Sequence, residues 1–425
     1  MDLFSKFKKD YFNYLVSIIL PAFISGVSIP LFKHLLGAKG YGNFSIWFNA
    51  MLIVTSILSG WIAQSILLFY PGSADKQVFS KTALILSGRT QAIFFIPAFL
   101  IVWAVSHDVI LASLCALVLF VVSIQFTILP VIQSSFLSKK VILSELIRIV
   151  SYVGVAIALL QVPGLSYLYS LFFAVIVSYS LSLLYLIRQA RIFFRIAKKD
   201  SPGIEITKGF FRKFFNYGAP LSLWFVFSYL LSYVDKIFIL HKFGGEVQGN
   251  YQAIFDLLSK GIILLISPIV TSLFPILTTA YSSGNIKEIR RLLKRIIMFE
   301  FGGFVVASAA YWLFGAAFVL RILKTPDTFS FRLMGFLVIA GTFIWQIAIL
   351  VQKRFELKLR SLYLLAMVFI AFVVQIVFYI TFRNYDNQLL YPMGFLLSAF
   401  IYLCLVSFSE LVAISKSLKI KQVKL

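Results

Sequence analysis

Acidic residues are scarce in this chain. Sixteen Asp and Glu face 39 Lys and Arg in 425 residues, a net charge of +23, and only 13% of positions are charged at all. Soluble domains carry about 25%. There are three histidines and two cysteines. Cys115 and Cys404 lie inside apolar runs, which excludes a disulfide framework or a cysteine-rich metal site and reads as small core residues. No glycine-rich phosphate loop ends in Gly-Lys-Ser/Thr, so the chain is expected to hydrolyse no ATP. His34, His107 and His241 stand near helix ends, away from any serine or cysteine nucleophile. No carboxylate cluster has metal-ligand spacing, and no loop is long enough to hold a catalytic domain. The expectation is a non-enzyme without cofactor or metal. The excess positive charge is scattered through short loops, which argues against a nucleic-acid partner.

What fills the chain is apolar: 60% hydrophobic residues and a mean hydropathy of +0.95. Runs of roughly twenty apolar residues recur throughout, each long enough to cross a bilayer. About twelve spans are expected, at 11–35, 43–70, 83–105, 108–136, 143–161 and 165–189, then 216–240, 249–277, 292–316, 330–352, 361–382 and 388–412. The basic N-terminus precedes no small-residue cleavage site, so the first run reads as a spanning helix. With the N-terminus inside, thirty Lys and Arg fall on the cytoplasmic side and seven in outer loops, Lys33 and Lys242 among them, while Lys236 and Lys260 lie within spans. That asymmetry predicts cytoplasmic termini. The polar linker near residue 200 divides the chain into an N-terminal six-helix lobe (1–190), a basic cytoplasmic linker (191–213) and a C-terminal six-helix lobe (214–425). Membrane lipids are the first partner; the linker's basic residues suit anionic headgroups, but read first as a topology signal on a solvated linker.

The two halves repeat. His34, Gly37, Gly42, Asn43, Phe44 and Phe48 recur 207 residues later as His241, Gly244, Gly249, Asn250, Tyr251 and Phe255. Phe12-Asn13-Tyr14 returns as Phe215-Asn216-Tyr217, and Gln133, Phe136, Lys139 as Gln352, Phe355, Lys358. The pattern predicts a helix, a glycine turn and a new helix capped by Asn at the Gly-Asn step. With six spans per half, the repeats would be parallel, related by an axis along the membrane normal.

Charges inside spans mark candidate sites, since each costs roughly 3 kcal/mol or more in a bilayer unless it meets a partner or a cavity. Asp235 and Lys236 precede the second glycine turn; Asp256 and Lys260 follow it, spaced i, i+4. Counting 1.5 Å per residue places Asp235 and Asp256 at matching depth, roughly 15 Å from the turn. A compact network of two acids and two bases is expected, serving as an anion or proton-coupling site or as an ion-pair lock between helices. Ser28, Ile29 and Asn49 stand at the matching positions of the first half. Arg89 and Arg148, near helix ends, are further cavity candidates that could equally snorkel to the interface. Glu300 is expected to pair with Arg295 or another neighbour.

The segment Leu36-Gly37 to Gly40-Tyr41-Gly42 and Phe44-Ser45, with Tyr233-Val234-Asp235-Lys236 before Gly244 and Gly249-Asn250-Tyr251, resembles the polysaccharide transporter family. That family lies within the multidrug/oligosaccharidyl-lipid/polysaccharide flippase superfamily. The resemblance implies a V-shaped transporter of two lobes around a central cavity. It implies movement of an undecaprenyl-pyrophosphate-linked oligosaccharide, such as an O-antigen or capsular repeat unit, across a bacterial inner membrane. A polysaccharide polymerase and other pathway proteins would be further partners. Basic side chains would hold the pyrophosphate, with Lys260 and Lys236 in comparable places. The first helix departs from this pattern in having no charge inside its span. A cation-coupled multidrug or small-molecule antiporter of the same superfamily, coupled through Asp235 or Asp256, is the alternative. A membrane polymerase or ligase fits worse, because such enzymes are expected to carry a large outer loop.

Overall fold

The computed structural model describes the backbone of residues 3–73, 75–135, 137–194, 204–282, 285–358 and 360–422, and the side chains of most of these. The basic stretch 195–203, the heart of the expected linker, lies outside the described residues, as do the side chains of both termini. Every regular element described is helical. In chain order they are α1 (Leu3–Phe69), α2 (Lys76–Ser106), α3 (Val109–Ser134), α4 (Ser138–Leu160), α5 (Tyr167–Phe194) and α6 (Ile204–Ser282). Then come α7 (Ile286–Ala310), a π-helical turn (Tyr311–Gly315), α8 (Ala316–Ile322), α9 (Phe329–Leu357), α10 (Ser361–Thr381) and α11 (Leu390–Gln422). Among the described residues ten helical stretches are long and apolar enough to cross a membrane. This is a multi-pass, all-helical membrane protein.

Two of those stretches are far longer than a bilayer requires. α1 and α6 each run through a single non-helical residue, Gly37 at φ 71°, ψ 170° and Gly244 at φ 82°, ψ 173°. Matching glycines thus take matching left-handed conformations, which only glycine adopts without steric cost. The helix resumes at once after each glycine, so the Gly-Asn step lies inside helix and Asn43 and Asn250 cap nothing. Lys33, expected in a loop, is a helical residue 4% exposed. Shorter helices start on conventional caps: Asp75 accepts from Gln77 and Val78 amides, and Asn285 from Glu288.

The chain forms two compact units whose borders fall within α1 and α6. One combines Ile29–Gly42 with the chain from Leu230 onward; the other contains Asn43–Tyr229. In the second of these, Trp61, Ile62, Ile66 and Tyr70 of α1 pack with Phe79 and Ala83 of α2, Val131 of α3 and Phe214 of α6. Gly218 lies so close to the Trp61 carbonyl that no Cβ would fit. Between α2 and α3, Thr127 donates to Ser87 at 2.8 Å, a hydroxyl rung in an apolar setting. In the first unit the two glycine-broken segments meet each other. A Cβ on Gly42 would strike Gly249, and one on Gly249 would strike the Ala38 carbonyl. The equivalent glycines of the repeat are therefore mutual neighbours. Cys115 is buried as expected, whereas Cys404 is exposed, because its face of α11 turns outward.

Candidate functional site

The candidate charged residues of α6, Asp235, Lys236, Asp256 and Lys260, belong to the first unit, on either side of the break at Gly244. Asp235 is fully buried and Lys236 is 2% exposed. Being adjacent on a helix, they project about 100° apart and cannot share one pairing direction. The Tyr251 hydroxyl donates to Asp235 Oδ2 at 2.5 Å, and the Lys236 backbone amide to Oδ1 at 2.7 Å. The Lys236 Nζ sits 4.2 Å from the centre of the Phe255 ring, a cation–π contact. Asp256 accepts from the Tyr41 hydroxyl at 2.7 Å and from Gln252 Nε2 at 2.8 Å.

The expected four-membered ion-pair network does not form as drawn. Among the described residues no lysine nitrogen lies within 4.0 Å of Asp235 or Asp256; the three ion pairs are elsewhere. Both carboxylates are instead held by hydroxyl, amide and backbone donors. The lysines act on them at longer range: Asp235, Asp256 and Lys260 are the charged neighbours of Lys236. Lys260 itself is exposed. The Lys236 ammonium is thus buried over an aromatic face, near two carboxylates that are held by other donors.

A second polar layer lies nearer the glycine turns. Lys33 Nζ donates to Thr325 Oγ1 at 2.5 Å, and Thr325 passes a hydrogen bond to Asn250 Oδ1 at 3.2 Å. His34 Nε2 meets the Ile322 carbonyl at 2.6 Å. In the other copy, Lys242 donates to the carbonyls of Arg383, at 2.9 Å, and Tyr385. Each broken helix is thus tied by a lysine to the loop that ends a later helical hairpin. These lysines were read as loop charges in the sequence. Their spacing along a continuing helix is what the reading missed.

The remaining candidates part company. Arg89 is exposed on α2. Arg148 on α4 pairs with Glu145 one turn earlier, at 2.5 Å, and its guanidinium stacks 5.0 Å from the Tyr179 ring of α5. It belongs to the second unit, whereas the α6 cluster belongs to the first. Among the described residues, buried Glu300 has no hydrogen bond to either oxygen and no ion pair to Arg295. Tyr41, Tyr251 and Gln252, which hold the carboxylates, were not singled out as site residues. The signal was present: Tyr251 replaces Phe44 of the first copy in the half where Asp235 replaces Ser28.

The fold belongs to a known class of membrane transporters. An inward-facing multidrug resistance MATE family transporter of the MOP superfamily superposes with a TM-score of 0.72 at 13% identity, covering 95% of this chain and 96% of that one. A MATE structure in its bent conformation gives 0.71 at 12% identity, covering 99% and 97%. A MOP superfamily transporter from Pyrococcus furiosus, described as having a binding pocket of reversed polarity, gives 0.68 at 14%, covering 94% and 95%. No curated protein sequence matches the chain. Sequence places it more narrowly than fold does. The model of the family described as polysaccharide biosynthesis protein matches residues 7–280, well over half of the chain. The chain belongs to that family, in keeping with the polysaccharide transporter family of the MOP superfamily.

Proposed function

We propose that the protein is a flippase that carries an undecaprenyl-pyrophosphate-linked oligosaccharide, an O-antigen, capsular or exopolysaccharide repeat unit, across the bacterial cytoplasmic membrane by alternating access. Two six-helix lobes, 1–190 and 214–425, are the moving parts, and both termini are cytoplasmic. The observation that carries the reading is the buried Lys236, a cation without a bound carboxylate in a chain of the polysaccharide biosynthesis family. Pyrophosphate needs compact positive charge within the membrane, and an ammonium held over a ring supplies it. Lys260, exposed one helical turn beyond Asp256, is the second cation within reach of the same cargo. Arg148, tied to Glu145, positions α4 against α5 and is expected to matter less.

In a strain lacking the protein, surface polysaccharide should fall and return with the parent gene. Lys236→Met, which keeps the stem and removes the charge, should restore less than a tenth of it at equal protein abundance. Normal polysaccharide in the deletion strain, with new sensitivity to drugs, would sink the flippase reading. That outcome would favour the cation-coupled antiporter, for which buried Asp235 and Asp256 provide the coupling carboxylates.

A further inference from the structure

One buried acid of the first unit takes no part in the α6 cluster. Glu300 on α7 is 2% exposed, and among the described residues neither of its carboxyl oxygens has a hydrogen-bond partner. Its surroundings follow from helical spacing. Ile296 and Leu293, one and two turns before it, pack with Ile269, Leu273 and Leu277 of α6 and Leu350 of α9. Phe304, Ala307 and Tyr311, on the same stripe beyond it, pack with Ile262 and Ile266 of α6 and Ile339 and Phe343 of α9. Glu300 stands between these two apolar clusters.

None of the charged groups described on the elements around it is paired with it. On α9, Arg332 is bound to Asp327 and Lys353 to Glu356, while Arg354 has Arg290 as its charged neighbour. On α6, Asp256 is held by Tyr41 and Gln252, and Lys260 is exposed. Arg295 is five residues earlier on α7, about 140° around the helix. Among the described residues none forms an ion pair with Glu300. An ionised carboxylate without counter-charge or donor in an apolar interior is far costlier than the neutral acid, which has only one hydroxyl left unpaired. From this geometry we propose that Glu300 is a proton-binding site of the second helical half. It holds its proton while α6, α7 and α9 stay packed and exchanges it when they part enough to admit water. The π-helical turn at Tyr311–Gly315, three turns along the same stripe, is where α7 departs from regular winding, and such turns recur at functional positions. The site does not depend on which cargo the protein carries.

Dicyclohexylcarbodiimide tests this on the full chain in membranes. A protonated carboxyl adds across one C=N bond of the reagent, oxygen to carbon and proton to nitrogen. The acyl group then migrates to nitrogen, leaving a stable N-acylurea with no leaving group. The peptide containing residue 300 should gain the mass of one intact carbodiimide, with labelling that declines as pH rises and is absent from that peptide in Glu300→Gln. Protection by sodium at fixed pH would overturn the proposal by assigning the site to a metal cation. The carbonyl stretch of a protonated acid, read by infrared difference against Glu300→Gln, needs no reagent entry. Its presence supports the proposal even where labelling fails; its absence overturns it. A large fall in melting temperature for the isosteric Glu300→Gln would also overturn it, since that variant removes an ionised partner but closely mimics a neutral acid.

Discussion

A hydroxyl and a carboxylate change together between the two copies of the repeat. Where the first copy has Ser28 and Phe44, the second has Asp235 and Tyr251, and the tyrosine donates to the aspartate at 2.5 Å. Tyr251→Phe strands a buried acceptor and should cost about 1–3 kcal/mol. Restoring the first-copy pair with Asp235→Ser in the same chain should recover part of that loss. A double-mutant cycle in chemical denaturation checks it, and strictly additive effects would show that the pair is not coupled. Asp108 offers a titration at the same scale. It caps α3 through the Leu111 amide and accepts from the Tyr169 hydroxyl at 2.6 Å. Those bonds, the tyrosine's foremost, hold its carboxyl below the usual carboxylate range. Its contribution to stability is therefore complete above about pH 4 and fades as pH falls through its lowered value. Asp108→Ala should lose about 1 kcal/mol at neutral pH and flatten the acid limb of a thermal-stability profile.

At the scale of elements, the glycines separate by what surrounds them. Gly37 has positive φ but open space around its Cβ position, whereas Gly249 has ordinary helical φ and the Ala38 carbonyl where a Cβ would go. Gly37→Ala should cost about 1–2 kcal/mol in backbone strain. Gly249→Ala must separate two helical segments and should lower folded yield far more, as size-exclusion recovery after solubilisation would record. The reverse ranking would mean that the turn, not the close approach, sets the tolerance. The repeat and its glycines were legible in the sequence because an offset of 207 survives in residue identity. What the glycines do was not. Positive φ and close approach both select glycine, and identity alone does not separate them. The helices α1 and α6 continue past their breaks for the same reason: Gly-Asn resembles a helix start until Gly37 and Gly244 are seen to absorb the whole turn. Lys33 and Lys242 were misread with it. Asp235, Lys236 and Asp256 stood out because charge is conspicuous in an apolar run. Tyr41 did not, since a tyrosine among phenylalanines declares nothing about its hydroxyl.

For the molecule as a whole, charge asymmetry and transport direction are linked. If the thirty basic residues face the cytoplasm, the loops bearing Arg321–Thr325 and Arg383–Tyr385, which receive Lys33 and Lys242, face outward. The glycine-to-glycine contact of Gly42 and Gly249, just past the breaks in α1 and α6, then lies toward the outer side. On the proposed flippase function, an anionic cargo would enter from the side rich in Lys and Arg. Single cysteines in a chain carrying Cys115→Ala and Cys404→Ala test the orientation that this route requires. A membrane-impermeant maleimide applied to intact cells should label Asn387→Cys and Gln161→Cys, and leave Asn285→Cys and Lys358→Cys unlabelled until the cells are opened. The opposite pattern would invert the chain, put Lys33 and Lys242 on the cytoplasmic side, and reverse the direction in which Lys236 could meet a pyrophosphate.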